Sequence, residues 1–212
     1  TPNGQKATIM LEELLEAGHA ADYDAWLLQI NGEQFGSGFV AINPNSKIPA
    51  LVDRSGAKPF RVFESGAILV HLAEKFGAFL PAGPAARAET FSWLMWQMGG
   101  LGPMAGQNNH FNTYAPEKIP YAMERYIKET NRLFGVLNKR LKGREFIVGD
   151  YSIADMASYP WVMIYERLSQ NIDDFPNVKR WVEAIRARPA TMRAYEKAKD
   201  CLLYTSPSPR DR

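Results

Sequence analysis

A change of hydrophobic pattern at residues 81–84 (PAGP) limits the fold of this chain more than any other feature of its sequence. Ahead of this segment, short strand-like runs alternate with helix-like runs, whereas behind it the apolar patterns have the spacing of helices. Clusters of proline and glycine mark turns and linkers. The sequence therefore predicts a mixed α/β domain over residues 1–80, a linker over 81–87 and an all-helical domain over 88–200.

The first domain combines helical stripes with strands of alternating pattern. Ile9, Leu11 and Leu14 give the opening helix its apolar stripe, and Gly18 is a suitable residue to end it. A turn cluster at 43–47 and a proline precede the later strands. The predicted order is a helix at the start, a strand over 23–30, a polar loop over 31–38, a hairpin of strands over 48–53 and 60–63, and a helix opening at Glu64 and Ser65.

The second domain is predicted to contain helices alone. A helix around Phe91 and Leu94 is followed by a glycine-rich segment, 99–103, that predicts a break. Ser152 and Asp155 have the spacing of a capping box. The remaining predictions are a long helix from Met123 to Leu141, a helix that Pro160 bends or ends, and a last helix over Val178–Ala187 that stops before Pro189.

Composition and charge exclude several function classes. The formal net charge is +2 with no basic block, so nothing favours nucleic-acid binding. No apolar run approaches the ~20 residues of a membrane span, and no signal peptide is recognisable, so we expect a cytoplasmic protein. The three histidines lack the spacing of metal ligands, and no metal is expected.

The cysteine content limits the chemistry further. Cys201 is the sole cysteine, so the chain has neither a disulfide framework nor a two-cysteine redox motif. It falls in residues 201–212, which contain two Ser-Pro units. This segment resembles a translated sequencing-library adapter, which predicts a non-native tail. Any sulfur chemistry therefore requires a thiol supplied by a ligand.

Three short segments are candidates for a binding site. Thr1 and Asn3 open a helix, where they act as caps or donate to a ligand. Ile48 precedes a proline, and a cis bond there would turn its backbone N–H and C=O toward a peptide-like ligand. Glu64 and Ser65 open another helix, where they cap it or receive the ammonium and carboxylate of an α-amino acid.

Three further polar residues are weaker candidates. Gln34 and Lys47 lie on loops on either side of the predicted site, and each alone is more typical of solvated surface than of a binding site. Arg125 lies about 140° from the centre of the apolar stripe of its helix, at the 100° per residue of an α-helix. It therefore faces solvent, a partner subunit or a ligand.

The order of these segments resembles the glutathione transferase superfamily. Residues 43–51 (NPNSKIPAL) and 63–68 (FESGAI) are similar to its two glutathione-binding segments, and 152–155 (SIAD) is similar to its second-domain capping box. The resemblance implies a thioredoxin-like α/β first domain, an all-α second domain and a homodimer. A thioredoxin-like sheet has a strand before the first helix, so the resemblance also implies that this sequence begins after that strand.

Residues 1–6 (TPNGQK), 99–104 (GGLGPM) and 106–111 (GQNNHF) are similar to the bacterial Nu-class transferases, which resemble disulfide-bond reductases. In that class the residues matching Thr1 and Asn3 lie beside the glutathione sulfur. The resemblance assigns glutathione contacts to Gln34, Lys47, Ile48, Glu64, Ser65 and, across the dimer, Arg125.

The implied function is a glutathione-dependent disulfide reductase that also reduces organic hydroperoxides. Its second substrate would be a small disulfide or hydroperoxide, and glutathione would be a co-substrate. Two alternatives stay open at this point. One is conjugation of glutathione to an electrophile, and the other is a non-enzymatic module that binds glutathione without turnover.

Overall fold

The computed structural model describes residues 1–28 and 32–204. Within these ranges the chain forms two compact units. The first combines Asn3–Phe76 with the segment that starts at Ala187, and the second is Gly77–Arg186. The helices and strands, in chain order, are α1 (Pro2–Glu16), α2 (Ser37–Ile42), β1 (Ala50–Asp53), β2 (Phe60–Phe63), α3 (Ser65–Phe76), α4 (Pro84–Trp96), α5 (Gly102–Asn109), α6 (Pro120–Arg140), α7 (Ile153–Val162), α8 (Pro176–Arg186) and α9 (Pro189–Tyr204).

The helix α1 begins where the sequence predicts it. Thr1 is its N-cap and accepts a 3.2 Å hydrogen bond from the Gly4 N–H, while Pro2 occupies a first-turn position that needs no donor. Ile9 and Leu14 are fully buried on its inner face. The helix is thus capped by its sequence and held by the packing of one apolar side.

The predicted hairpin is confirmed. The strands β1 and β2 are antiparallel, with Ala50 opposite Phe63 and Asp53 opposite Phe60, and α3 follows β2 directly. The strand predicted over 23–30 is wrong for its described part, because residues 23–28 have no strand conformation and the described sheet has only two strands. An alternating pattern forms a strand only where a neighbour completes its hydrogen-bond ladder.

The helix α9 was not predicted, and it belongs to the first unit. The guanidinium of Arg188 donates to both carboxylate oxygens of Glu13, at 2.5 and 2.7 Å. Arg193 pairs with Glu12 at 2.9 Å and with Glu16 at 2.6 Å. These ion pairs join α9 to α1. The predicted tail, 201–212, starts within α9, and its residues 205–212 lie outside the described residues.

In the second unit the break predicted over 99–103 is wrong. Residues 97–101 form a π-helical turn that connects α4 to α5 without interruption, and a second π turn follows over 110–114. Gly102 serves close packing, because a Cβ atom there would lie 2.7 Å from Nε2 of Gln97. Gly102 therefore permits this close contact with Gln97, and the glycines of the segment do not end the helix.

The long helix and the capping box are both confirmed. The helix α6 spans Pro120–Arg140, and α7 ends two residues after Pro160. Asp155 is fully buried and accepts hydrogen bonds from the Ser152 N–H at 3.1 Å, the Ile147 N–H at 2.9 Å and the Trp181 indole at 2.8 Å. Among the described residues, no helix has the length and apolar character needed to cross a membrane.

Candidate functional site

The first unit brings the Ile48 and Ser65 segments to one end of the hairpin. Ala50 lies opposite Phe63, so in an antiparallel pair Ile48 precedes the same edge from which Ser65 departs. The Ile48–Pro49 peptide bond is cis. Two of the predicted binding segments therefore adjoin each other, as the sequence order suggested.

The turn before Ile48 is organised by Asn43, which sequence reasoning did not single out. Its buried amide donates to the carbonyl of Lys47 at 2.5 Å, and its side-chain oxygen accepts from the Asn45 N–H at 2.9 Å. Ser46 has a φ of 54°, in the left-handed region. The two bonds from Asn43 fix this conformation and leave the Lys47 side chain exposed.

Glu64 and Ser65 form the junction between β2 and α3. Glu64 has a φ of 69°, and its carbonyl accepts the first helical hydrogen bond, from the Ile68 N–H at 3.0 Å. A non-glycine residue in this region costs of order 1 kcal/mol or more and is frequent at ligand sites. The Glu64 side chain is exposed, whereas Ser65 is buried at the first position of α3. The exposed carboxylate of Glu64 therefore lies beside the N-terminus of α3, where backbone N–H groups act as donors.

Lys6 connects the start of α1 to this junction. Its side chain is only 1% exposed, and its Nζ lies 3.4 Å from Oγ of Ser65. Along the helix axis, Asn3 is about 4.5 Å and Thr1 about 7.5 Å before Lys6, at 1.5 Å per residue. Thr1 and Asn3 therefore open the same helix that contacts Ser65.

Burial has a large effect on Lys6. Loss of hydration lowers the pKa of Lys6 to about 7, and the nearby charge of Glu64 partly opposes this effect. Sequence reasoning missed this residue, although a signal was present. Lys6, Ile9, Met10 and Glu13 have the spacing of one helical face, and all four are buried. A lysine in helical register with the apolar Ile9 and Met10 marks a buried cation.

The remaining two predicted residues belong to other elements of the fold. Gln34 belongs to a short 3₁₀ turn, Glu33–Phe35, and its Oε1 accepts from the Gly32 N–H at 3.0 Å. Arg125 is exposed on α6 in the second unit, as its helical position predicts. It lines a groove of about 390 Å³ together with Met104, Tyr121, Glu124, Tyr126, Lys128, Glu129 and Arg132.

Two observations limit the chemistry of these residues. In the ranges 1–28 and 32–204, no group of three histidine, cysteine or acidic side chains is placed to hold a metal ion. The site segments supply hydroxyl, amide, carboxylate and ammonium groups. This set suits a zwitterionic ligand with a carboxylate and an ammonium a few ångströms apart.

Comparison with known proteins supports the resemblance seen in the sequence. Residues 7–74 match the model of the glutathione S-transferase N-terminal domain, and residues 112–189 match that of the C-terminal domain. The disulfide-bond oxidoreductase YfcG of Escherichia coli strain K12 is 51% identical over 205 residues, which cover 93% of this chain and 92% of that protein.

Solved structures give the same result. Glutathione transferase YghU from Streptococcus pneumoniae, complexed with glutathione, has 47% identity and a TM-score of 0.87, covering 92% of this chain and 78% of that one. A glutathione transferase from Burkholderia graminis, with two glutathione molecules bound per subunit, has 45% identity and a TM-score of 0.84. The match covers 92% of this chain and 83% of that one. The chain therefore belongs to the glutathione S-transferase family.

Proposed function

We propose that this protein is a glutathione-dependent disulfide-bond oxidoreductase. The observation that carries the proposal is the junction at Glu64 and Ser65, where an exposed carboxylate stands beside a helix N-terminus backed by the buried cation of Lys6. The high identity to a disulfide-bond oxidoreductase along almost its whole length supports a reductive reaction.

The ligand would be held by complementary charges. Glu64 would pair with the ammonium of the γ-glutamyl group, and the Ser65 hydroxyl and first N–H groups of α3 would bind the adjacent carboxylate. The backbone of Ile48, on the neighbouring edge, would pair with the cysteinyl peptide group. Gln34 and Lys47 would supply polar contacts to the glycyl carboxylate.

The sulfur would then lie near the start of α1. A free thiol has a pKa near 8.5, and hydrogen-bond donors at a helix N-terminus lower the pKa of a thiol. The hydroxyl of Thr1 and the amide of Asn3 would be the donors in this turn. Their role is to stabilise the thiolate, the species that attacks disulfides.

The proposed reaction uses two glutathione molecules. The first thiolate attacks one sulfur of the substrate disulfide, so that a glutathione–substrate bond forms and the other half leaves as a thiolate. The second glutathione thiolate attacks the glutathione sulfur of this mixed disulfide and releases the remaining half. The products are oxidised glutathione and two substrate thiols, so that two electrons pass from glutathione to substrate. The Burkholderia graminis protein, with two bound glutathiones, supports this stoichiometry.

The test is the reduction of bis(2-hydroxyethyl) disulfide by glutathione, with oxidised glutathione measured directly. We expect turnover well above the uncatalysed exchange. Thr1→Ala and Asn3→Ala should each lower kcat by about tenfold or more and change glutathione affinity less, since one charge-assisted hydrogen bond stabilises by ~1.5–3 kcal/mol. Ser92→Ala, an exposed change on α4, is the matched control.

The same preparation separates the alternatives. Turnover of an aryl halide with glutathione, and none of the disulfide, would favour a conjugating transferase. Retention on immobilised glutathione without turnover of either would favour a binding module. A hydroperoxide assay shows whether the thiolate also reduces peroxides, with one water and one alcohol formed per oxidised glutathione.

Two further proposals concern the setting of this reaction. A reaction that consumes reduced glutathione belongs in a reducing compartment, which supports a cytoplasmic location. We also propose a homodimer in which the exposed Arg125 of one subunit reaches glutathione bound to the other. Light scattering would give the number of subunits. Arg125→Ala should weaken glutathione binding and leave the number of subunits unchanged.

A further inference from the structure

The last five residues of α1 include three glutamates, Glu12, Glu13 and Glu16. Backbone carbonyl groups give a helix C-terminus a partial negative charge, so acidic side chains there destabilise the helix. The last turn of α1 contains no basic residue that would offset them. Glu12 and Glu13 are only 4% and 2% exposed, so water compensates little of their charge. The C-terminal half of α1 therefore depends on cations from elsewhere in the chain.

These cations come from α9 and from the residue before it. Arg188 donates to both carboxylate oxygens of Glu13, at 2.5 and 2.7 Å. Arg193 bridges two carboxylates, because its Nε lies 2.9 Å from Glu12 and its Nη2 lies 2.6 Å from Glu16. Each carboxylate that α1 places unfavourably is thus neutralised by an arginine of the same compact unit.

The opposite end of α1 has a complementary pattern. The free N–H groups of its first turn give it a partial positive charge, and this turn contains no acidic residue. In the proposed function the glutathione sulfur lies at this turn, beside Thr1 and Asn3. Glu12 is nine residues from Asn3, or about 13 Å along the axis at 1.5 Å per residue. The proposed thiolate and the neutralised carboxylates therefore belong to opposite ends of one helix.

A helix transmits the position of one end to the other. Without their arginines, Glu12 and Glu13 would be buried and unpaired, which is strongly unfavourable. Water would reach these carboxylates only if the C-terminal half of α1 tilted outward or unwound. Either change would move the first turn relative to the junction at Glu64 and Ser65. Hydrogen bonds weaken steeply away from their preferred geometry, so donors to a sulfur would lose effect.

We propose that Arg188 and Arg193 are positioning residues for the reaction. By neutralising the C-terminal half of α1, they hold its first turn in place against the sulfur of bound glutathione. The inference rests on the proposed function of the site. Both arginines act through α1, so α9 contributes to activation of the thiol.

The pKa of the bound thiol is the readout that distinguishes positioning from simple stabilisation. A displaced helix N-terminus should raise this pKa by about 0.5 or more. At pH 7, kcat for disulfide reduction should then fall about threefold, because less thiolate is present. Glutathione affinity should change less, since Ile48, Glu64 and Ser65 lie outside α1.

Direct charge effects on the thiol are small at 0.15 M salt. The Debye length is then about 8 Å, shorter than the distance of about 13 Å between the two ends of the mechanism. Lys6 and Glu64, the charged groups near the first turn, are the same in every variant. A change in the pKa of the thiol therefore reports the position of α1.

The experiment titrates the ultraviolet absorbance of the thiolate of glutathione bound to excess protein. The complex with S-methylglutathione is the blank, which cancels the absorbance of Cys201 and the tyrosines. Wild type should show a thiol pKa below 8.5, the value of a free thiol. Arg193→Ala and Arg188→Ala should each raise it, whereas Arg193→Lys keeps a cation at the same place and should restore most of the wild-type value.

Two controls complete the set. Trp181→Phe destabilises the second unit through Asp155 and should leave the pKa of the bound thiol unchanged. Arg54→Ala removes one exposed positive charge and should also leave it unchanged. Thermal melting identifies a variant that fails to fold. Arg193 is 41% exposed, so its replacement is the milder change and decides if Arg188→Ala does not fold.

The outcomes separate this role from the function itself. An unchanged thiol pKa in Arg193→Ala would overturn the positioning role of the arginines. An equal rise in Trp181→Phe would overturn it too, since any loss of stability would then have the same effect. A wild type that binds no glutathione, or that leaves the thiol at its free pKa, would instead refute the proposed function.

Discussion

Replacing Arg188 with alanine tests how strongly α9 is attached to α1. The guanidinium of Arg188 forms two hydrogen bonds to the carboxylate of Glu13, at 2.5 and 2.7 Å. The Glu13 side chain is 2% exposed, whereas that of Arg188 is 31% exposed. Arg188→Ala would therefore leave a buried carboxylate without its principal cation.

The size of the effect follows from these exposures. Removing one partner of a fully buried ion pair costs about 3–5 kcal/mol. Because Arg188 is nearly one third exposed, solvent screens part of the interaction, and we expect a loss of about 2–3 kcal/mol. Glu13→Gln should cost less, since it removes the buried charge along with the pair.

Urea unfolding followed by circular dichroism measures these changes. With a slope of about 2 kcal/mol/M, Arg188→Ala should lower the midpoint by roughly 1 M. Arg54→Ala, on an exposed turn, is the control and should leave the midpoint within about 0.3 M of wild type. In the double variant with Glu13→Gln, the loss should be clearly smaller than the sum of the single losses. Additive losses, or an unchanged midpoint for Arg188→Ala, would refute the account of a buried bidentate pair.

Three other substitutions test separate parts of the structure. Asn43→Ala removes two side-chain hydrogen bonds from the turn before Ile48. It should lower the free energy of unfolding by about 2 kcal/mol. It should also weaken glutathione binding, as measured by calorimetry well below the melting point. The hydrogen bond from Lys75, at 2.8 Å, holds the pKa of Asp53 well below its usual range. The stabilisation from this pair is present at neutral pH and is lost as the pH falls below about 4. Asp53→Asn should therefore lower the free energy of unfolding by about 2 kcal/mol at pH 7. In the variant, the free energy of unfolding should also depend less on pH under acidic conditions. Trp181→Phe removes the indole donor of the buried Asp155 and should lower the unfolding free energy by about 2 kcal/mol in urea titration.

Local patterns predicted those elements whose residues satisfy one another nearby. The hairpin of β1 and β2 and the capping box at Ser152 depend on short-range turns and caps, and both were predicted correctly. The strand expected over 23–30 depends on a distant neighbour, which its own residues cannot specify. Likewise α9 is joined to α1 by charges that look like ordinary surface residues in the sequence.

The candidate site divides in the same way. The place of Glu64 and Ser65 at the start of α3 could be predicted, because acidic and hydroxyl residues are favoured at helix N-termini. Their role in binding stays a prediction. Lys6 could not be assigned a partner, since its contact with Ser65 spans 59 residues of chain. Its spacing from the apolar Ile9 and Met10 was visible in the sequence, however. A lysine at such a position in related sequences would indicate a buried ammonium.

The first unit has a consequence for the order of events during synthesis, because its two parts flank the whole second unit in the chain. Arg188 and Arg193 follow their partners Glu13 and Glu12 by 175 and 181 residues. A ribosome adds about 5–20 residues per second, so the two glutamates wait roughly 9–36 s for the arginines that neutralise them. Throughout that interval the nascent α1 presents two acidic groups where the finished protein has ion pairs. The speed of translation through Gly77–Arg186 therefore sets how long the unpaired acidic face of α1 is accessible to chaperones and other nascent chains.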